Sequence, residues 1–143
     1  MFMIWKQNFT IEGLNQLYEN TLVSHLEIKF TRSGDDFLEA TMPVTSITVQ
    51  PMRILHGGAS VVLAETLGSV ASSLVIPDLH IQYPVGLDIN ANHLRSVKEN
   101  SIVTGRAKPI HLGKSTHVWH IDIYDENQIP VCVSRLTMMI KNV

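Results

Sequence analysis

The run of residues 56–74, His-Gly-Gly-Ala-Ser-Val-Val-Leu-Ala-Glu-Thr-Leu-Gly-Ser-Val-Ala-Ser-Ser-Leu, constrains the fold more than any other stretch. It is small or apolar on nearly every side over about five turns, the pattern of a helix buried all round. Gly68 costs such a helix about 1 kcal/mol relative to Ala, tolerable where close packing or a ligand excludes a side chain. After His56 the only ionisable side chain is Glu65. A carboxylate in a buried helix is expensive unless it is paired, protonated or facing a cavity. The His56-Gly57-Gly58 entry leaves N–H groups pointing out of the first turn with nothing bulky to shield them. Glu65 alone reads as a core-helix residue that reaches solvent. Together with the bare N-terminus it points to a hydrolytic site with an oxyanion hole.

The 143 residues suffice for one domain with a real core and fall short of two. A formal net charge of −2 gives no electrostatic footprint for nucleic acid. The single cysteine, Cys132, excludes an internal disulfide framework and suits a reducing cytosol. The apolar start, Met1 to Trp5, is too short for a signal-peptide core and is broken by Lys6. No stretch approaches the roughly 20 apolar residues of a membrane span. The expectation is a soluble, cytoplasmic protein without nucleic-acid or membrane partners.

Ahead of the long helix, Ile11, Leu14, Leu17 and Tyr18 keep helical spacing, with Thr10 as N-cap and Asn20 as stop. Residues 25–30 alternate as a half-buried strand, 33–36 carry turn chemistry, and 37–42 return as a second strand. Pro51 biases Gln50 towards an extended backbone, so residues 45–55 read as a loop into the helix N-terminus. From there Gln50 either aims its amide at whatever the Gly57 N–H binds or remains a solvated side chain.

Beyond the helix, Ile76-Pro77-Asp78 is a stop signal. Val85, Leu87, Ile89 and Ala91 then alternate with polar residues and Gly86. Residues 101–109, 115–124 and 130–140 read as further strands joined by tight polar turns. An antiparallel meander follows, and the long helix must pack on it to be covered. The expected class is α+β.

Other motifs carry less. Gly113-Lys114-Ser115 resembles the tail of a phosphate loop, but Lys108 stands where the leading glycine belongs, and the segment joins two strands. Gly58-Ala59-Ser60-Val61-Val62 lacks the last glycine of a nucleophile elbow. His117 and His120 point to opposite faces of a strand and cannot share a metal. Cys132 lies in a strand without a basic partner, the setting of an inert core thiol. Arg95, Lys98, Arg106, Lys108 and Lys114 gather around strand ends and turns, as a solvated surface or as a shallow phosphate-binding rim.

The run Gln50-Pro51, then Leu55-His56-Gly57-Gly58-Ala59-Ser60, then Ala64-Glu65 and Ser69, resembles the hotdog-fold acyl-CoA thioesterases. It is most similar to the branch acting on aromatic acyl groups, which includes 1,4-dihydroxy-2-naphthoyl-CoA thioesterase and the proofreading thioesterase of enterobactin synthesis. The likeness extends through Gly34-Asp35-Asp36, residues 38–44, residues 86–93, His111-Leu112-Gly113 and Ser134-Arg135-Leu136-Thr137. In this pattern Met3 stands at the usual start, leaving Met1-Phe2 as extra residues. The fold implied is one domain over residues 1–143, an antiparallel sheet wrapped around one central helix.

By the same resemblance, Glu65 attacks the thioester or activates water, and the Gly57 N–H polarises the carbonyl. Gln50 and His56 orient that carbonyl, and Ser69 positions the water. Gly86, the segment His93, Leu94, Arg95 and Ser96, and the segment His111, Leu112, Gly113, Lys114, Ser115 and Thr116 match those that hold the CoA nucleotide and its phosphates. No cofactor or metal is implied. One departure is Met52-Arg53, where near relatives carry Phe-Gly, which bears on the acyl preference. The alternatives are a thioesterase acting on aryl carrier-protein thioesters, a non-catalytic acyl-CoA sensor, and a hotdog dehydratase. The last would use a His with an acidic partner.

Geometry adds an expectation of its own. Gly57 and Glu65 are separated by a helical rise of about 12 Å, whereas a carboxylate and an oxyanion donor must both lie about 3 Å from one thioester. Two such helices packed antiparallel about a two-fold axis satisfy both distances, so the site is expected to be shared in a homodimer. The resemblance implies that two such dimers pair into a tetramer.

Overall fold

A computed structural model describes residues 2–143. In chain order it contains α1 (Ile11–Leu17), α2 (Leu22–His25), β1 (Lys29–Ser33), β2 (Leu38–Val44) and α3 (Gly57–Val75). Strands β3 (Gln82–His93), β4 (Ser101–Leu112), β5 (Thr116–Tyr124) and β6 (Pro130–Asn142) complete it. All six strands form one antiparallel sheet in the order β1-β2-β4-β5-β6-β3. The last three strands form the expected meander, but β3 departs from it. After β2 the chain crosses the sheet as α3 and lays β3 along the far edge, beside β6.

Helix α3 packs against every strand from β2 to β6. Its Leu63, Leu67 and Ala71 are fully buried, as are Trp119 and Ile121 of β5 and Leu136 of β6. Each fully buried leucine contributes about 1.5–3 kcal/mol. Gly68 is explained by packing: a Cβ there would meet Leu136 Cδ2 at 2.4 Å. Ser72 is also fully buried and accepts a hydrogen bond from Trp119 Nε1 at 2.7 Å, which satisfies a polar group inside the core.

The helix is not buried all round. Val61, Val62, Glu65, Thr66, Ser69 and Ser73 form a half-buried strip along it. At 19 residues α3 is also long and apolar enough to span a membrane by length and composition, contrary to the reading that no stretch approaches this. Its place is explained by the sheet it covers.

The N-terminal third differs from expectation in one element. Thr10 caps α1, its Oγ1 accepting the Gly13 N–H at 3.0 Å, and Asn20 follows in a left-handed conformation with φ 59°. Residues 22–25, however, form the short α2, so the strand begins at Lys29 instead of residue 25. Thr21 and Ser24 cap this turn reciprocally, which offsets the alternation that reads as strand. Asn15 then anchors β1 with two hydrogen bonds to the Phe30 backbone.

Candidate active site

Two loops converge on the start of α3. Residue 56 is its N-cap, and the His56 ring Nδ1 accepts the Gly58 N–H at 2.8 Å. The helix entry is therefore less bare than its sequence suggests. It is also covered: a Cβ on Gly57 would lie 2.8 Å from His93 Nε2, so the His93 ring packs directly on the glycine. The Gly57 N–H itself takes no acceptor among the described residues. It borders a cleft of about 340 Å³ that Gln50, Ser60, His93 and Arg95 also line.

Gln50 is oriented by its own turn. Its Oε1 accepts the Met52 N–H, and its backbone N–H donates to Ile54 O at 2.9 Å. Because a backbone N–H must face an oxygen, the NH₂ end of the amide is the one left unpaired. Gln50 and Gly57 thus offer two free donors to one cleft, with His56 fixing the helix start beside them.

Glu65 lies eight residues further along α3, a rise of about 12 Å. Its carboxylate rests against β3, where a Cβ on Gly86 would meet Oε1 at 2.7 Å. The glycine is required for that approach. Glu65 is half-buried and has no hydrogen-bond or ion-pair partner among the described residues. Ser69, one turn on and on the same strip, donates among the described residues only to Met138 Sδ at 3.6 Å, a weak acceptor. The alternation read along β3 fails here, because a bulge between Gly86 and Asp88 switches which residues face the helix. Gly86, Ile89, Ala91 and His93 share the helix side, and Leu87 is left 59% exposed.

The segments assigned to one nucleotide do not meet within the chain. His93, Leu94, Arg95 and Ser96 line the cleft at the start of α3. The turn containing His111, Leu112, Gly113, Lys114, Ser115 and Thr116 lies at the other end of the helix. There Leu112, Gly113 and Lys114 border a second cleft of about 460 Å³ with Val75 and Ile76. Gly86 sits between the two ends, beside Glu65. The rim of cations also divides: Arg106 pairs with Glu39, and Lys108 lies 3.9 Å from Asp36. Arg95, Lys98 and Lys114 have no carboxylate partner among the described residues.

Sequence reasoning missed what supports the second cleft. His117 is buried, its Nδ1 3.2 Å from Ser72 Oγ. Since Ser72 Oγ already accepts from Trp119, its own proton is free to go to His117. Burial, aided by the nearby His111, holds His117 below the usual imidazole range, against a hydrogen bond to the Gly113 backbone. The signal in the sequence is the alternation of His117, Trp119, Ile121 and Ile123 on one face of β5. His120 points the other way, towards Asp122 at 2.9 Å. Cys132 is fully buried, and burial pushes its thiol up. No group of His, Cys, Asp and Glu among the described residues is placed to hold a metal ion.

Residues 52–132 match the model of the thioesterase superfamily. The chain is 54% identical to the 1,4-dihydroxy-2-naphthoyl-CoA hydrolase of Escherichia coli, covering 96% of this chain and 99% of that protein. It is 51% identical to the proofreading thioesterase EntH of Cronobacter turicensis, covering 94% and 96%. Its structure resembles that of a thioesterase from Haemophilus influenzae with a TM-score of 0.93 at 53% identity, covering 98% and 96%. A mutant thioesterase from Pseudomonas aeruginosa gives 0.94 at 46% identity, covering 98% and 99%.

Proposed function

The chain belongs to the thioesterase superfamily and is a thioester hydrolase of hotdog fold, and on that premise we propose that it cleaves aromatic acyl-CoA thioesters at a site shared by two chains. The thioester carbonyl receives the Gly57 N–H and the Gln50 amide of one chain. Glu65 of the other attacks the carbonyl carbon or takes a proton from water, and Ser69 positions that water. His56 orients the helix start through its bond to the Gly58 N–H.

Charge develops on the carbonyl oxygen as the tetrahedral centre forms. A fixed donor at that oxygen is worth about 3–4 kcal/mol because it needs no reorganisation. A carboxylate that has no cation beside it spends none of its charge on a structural pair. The single observation that carries the reading is Glu65 itself: without a partner among the described residues, held over Gly86, and a helical rise of about 12 Å from a Gly57 N–H that is likewise unpaired among them. One helix cannot bring both to one carbon.

The sheet edge supports a second copy as the missing half. β3 is an edge strand of 12 residues, and Ile81 and Leu87 on or beside it are 60% and 59% exposed. A long apolar edge of this kind invites pairing with another chain. Antiparallel pairing of β3 about a two-fold axis brings each α3 N-terminus towards the other chain's Glu65. It also brings the segment at His93 of one chain towards the turn at Lys114 of the other, so the two halves of the nucleotide site unite. Pairing of such dimers gives a tetramer, and the expected compartment is the cytoplasm.

The relative named for a naphthoyl-CoA supports an aromatic acyl group on CoA, the one named for proofreading supports the proofreading alternative, and the two carriers to compare are CoA and an aryl carrier protein. Thiol release measured with benzoyl-CoA and with a benzoyl carrier protein tests the reading. Faster turnover of the CoA thioester is expected, and preference for the carrier protein moves the function to proofreading. No release from either substrate overturns the reading.

A further inference from the structure

The turn that presents Gln50 is built on an unusual residue. Arg53 has φ 61°, a left-handed conformation that side-chain-bearing residues rarely adopt. The turn needs it: Arg53 N–H donates to Gln50 O at 2.8 Å, and Gln50 N–H donates to Ile54 O at 2.9 Å. It is the left-handed Arg53 that turns Ile54 O back onto the Gln50 N–H, and within the same turn the Met52 N–H donates to Gln50 Oε1.

Something must offset the cost of that conformation, and a bidentate ion pair is in place. Arg53 Nε donates to Glu99 Oε2 at 2.9 Å and Nη2 to Oε1 at 2.5 Å, both bonds of one planar fork. Glu99 is also tied through its backbone, its N–H donating to Arg53 O at 3.2 Å. An isolated bridge joins Ile54 to Lys98, and Leu55 N–H donates to Val97 O at 2.8 Å. The segment carrying Glu99 is the same one that continues from Arg95 and Ser96 in the cleft.

Resting on the reading of Gln50 above, we propose that Arg53, clamped by Glu99, is a positioning residue that fixes the direction of the Gln50 amide. Release of the clamp lets Arg53 leave the left-handed region. Ile54 O then swings off the Gln50 N–H, Gln50 loses the backbone bond that anchors it, and its amide rotates away from the carbonyl it should hold. Glycine occupies the same conformation without strain and needs no clamp.

The test is a set of variants assayed for thiol release with benzoyl-CoA and with the N-acetylcysteamine thioester, alongside thermal unfolding. Glu99→Ala is expected to lower kcat about 3–10-fold on both substrates with KM within about twofold. Arg53→Gly in the Glu99→Ala background is expected to restore kcat to within about twofold of the natural protein. In a Gln50→Ala background, Glu99→Ala should cost nothing further, since the group it positions is gone. Full activity in Glu99→Ala, or failure of Arg53→Gly to rescue it, overturns the positioning role and leaves the Gln50 reading intact. Full activity in Gln50→Ala overturns that reading, and the positioning role with it.

Discussion

Glu39 and Glu65 lie towards opposite edges of the same sheet, Glu39 on β2 and Glu65 over β3. Glu39 is buried and held by two guanidinium groups. Arg32 reaches it with Nε at 2.8 Å and Nη2 at 3.0 Å, and Arg106 Nε lies at 2.6 Å. The Phe37 ring lies under both guanidiniums, at 5.0 and 4.9 Å. Hydrogen bonding from Arg32 is the main influence holding the Glu39 carboxyl below its usual range; burial opposes it and Arg106 adds to it. Among the described residues Glu65 has no cation and no donor, and a glycine faces it where a side chain would stand. The fold supplies cations where it needs a negative charge for structure. A carboxylate left without them, on a half-buried strip beside an unpaired edge, is available to a substrate or a second chain.

The sharpest way to break this contrast is to make each acid neutral. Glu65→Gln is expected to lower kcat by about 10³-fold or more while the unfolding temperature stays within a degree or so, because no folded-state pair is lost. Retention of more than about a tenth of the activity would remove Glu65 from the chemistry. Gln50→Ala is expected to cost about 10–100-fold in kcat, as a side-chain donor to the developing oxyanion does.

Glu39→Gln should show the reverse pattern. The charge is lost and one of the two acceptor oxygens becomes an NH₂ donor facing the guanidiniums, whose partial exposure reduces the cost to about 1–2 kcal/mol. A fall of about 3–8 °C in unfolding temperature with kcat unchanged is expected in a calorimetric scan paired with a thiol-release assay. A large loss of activity at unchanged stability would mean that the contrast between the two acids is misplaced.

A smaller effect is expected at Arg95 and Lys114. Arg95→Ala and Lys114→Ala should each raise KM for acyl-CoA about 3–10-fold and leave the N-acetylcysteamine thioester unaffected. These residues lie at opposite ends of α3 in one chain, so parallel behaviour sharpens the case for a nucleotide site built from two chains. Equal losses on both substrates would assign them to structure.

The smallest effect concerns pH. His117 is held below its ordinary value of 6.5, so the folded state binds fewer protons than the unfolded chain once the pH falls below that value. Stability is therefore full above about pH 6.5 and erodes on acidification. Glu39, also held low, keeps its contribution above its ordinary 4.5 and loses it as the pH falls through its folded value. Denaturant midpoints measured from pH 7.5 to 5 should decline, and His117→Gln should flatten that slope. An unchanged slope would exclude His117 as its source.

The long helix was legible because small and apolar residues run through it with Glu65 as the one ionisable break, and Gln50 and Gly57 stood out as the polar and bare positions at its entry. Packing decided what the pattern left open. Gly68 is small because Leu136 presses on it, and Gly86 because Glu65 does. The bulge after Gly86 was hidden, since alternation in one strand cannot reveal the register its neighbour β6 imposes. The short α2 was hidden by caps that compete with an alternating pattern. The separation of Arg95 from Lys114 was invisible too. Two segments matched to one ligand carry no sign that they lie at opposite ends of a helix.

The claim that one site needs two chains is tested most directly by mixing two inactive proteins. Gln50→Ala and Glu65→Gln protein, denatured together and refolded, should form mixed dimers in which one site has both defects and the other has none. Native mass spectrometry measures the mixed fraction, and thiol release from benzoyl-CoA measures activity. Recovery of half the natural activity per mixed dimer is the predicted result. Proven exchange without recovery would contradict the shared site.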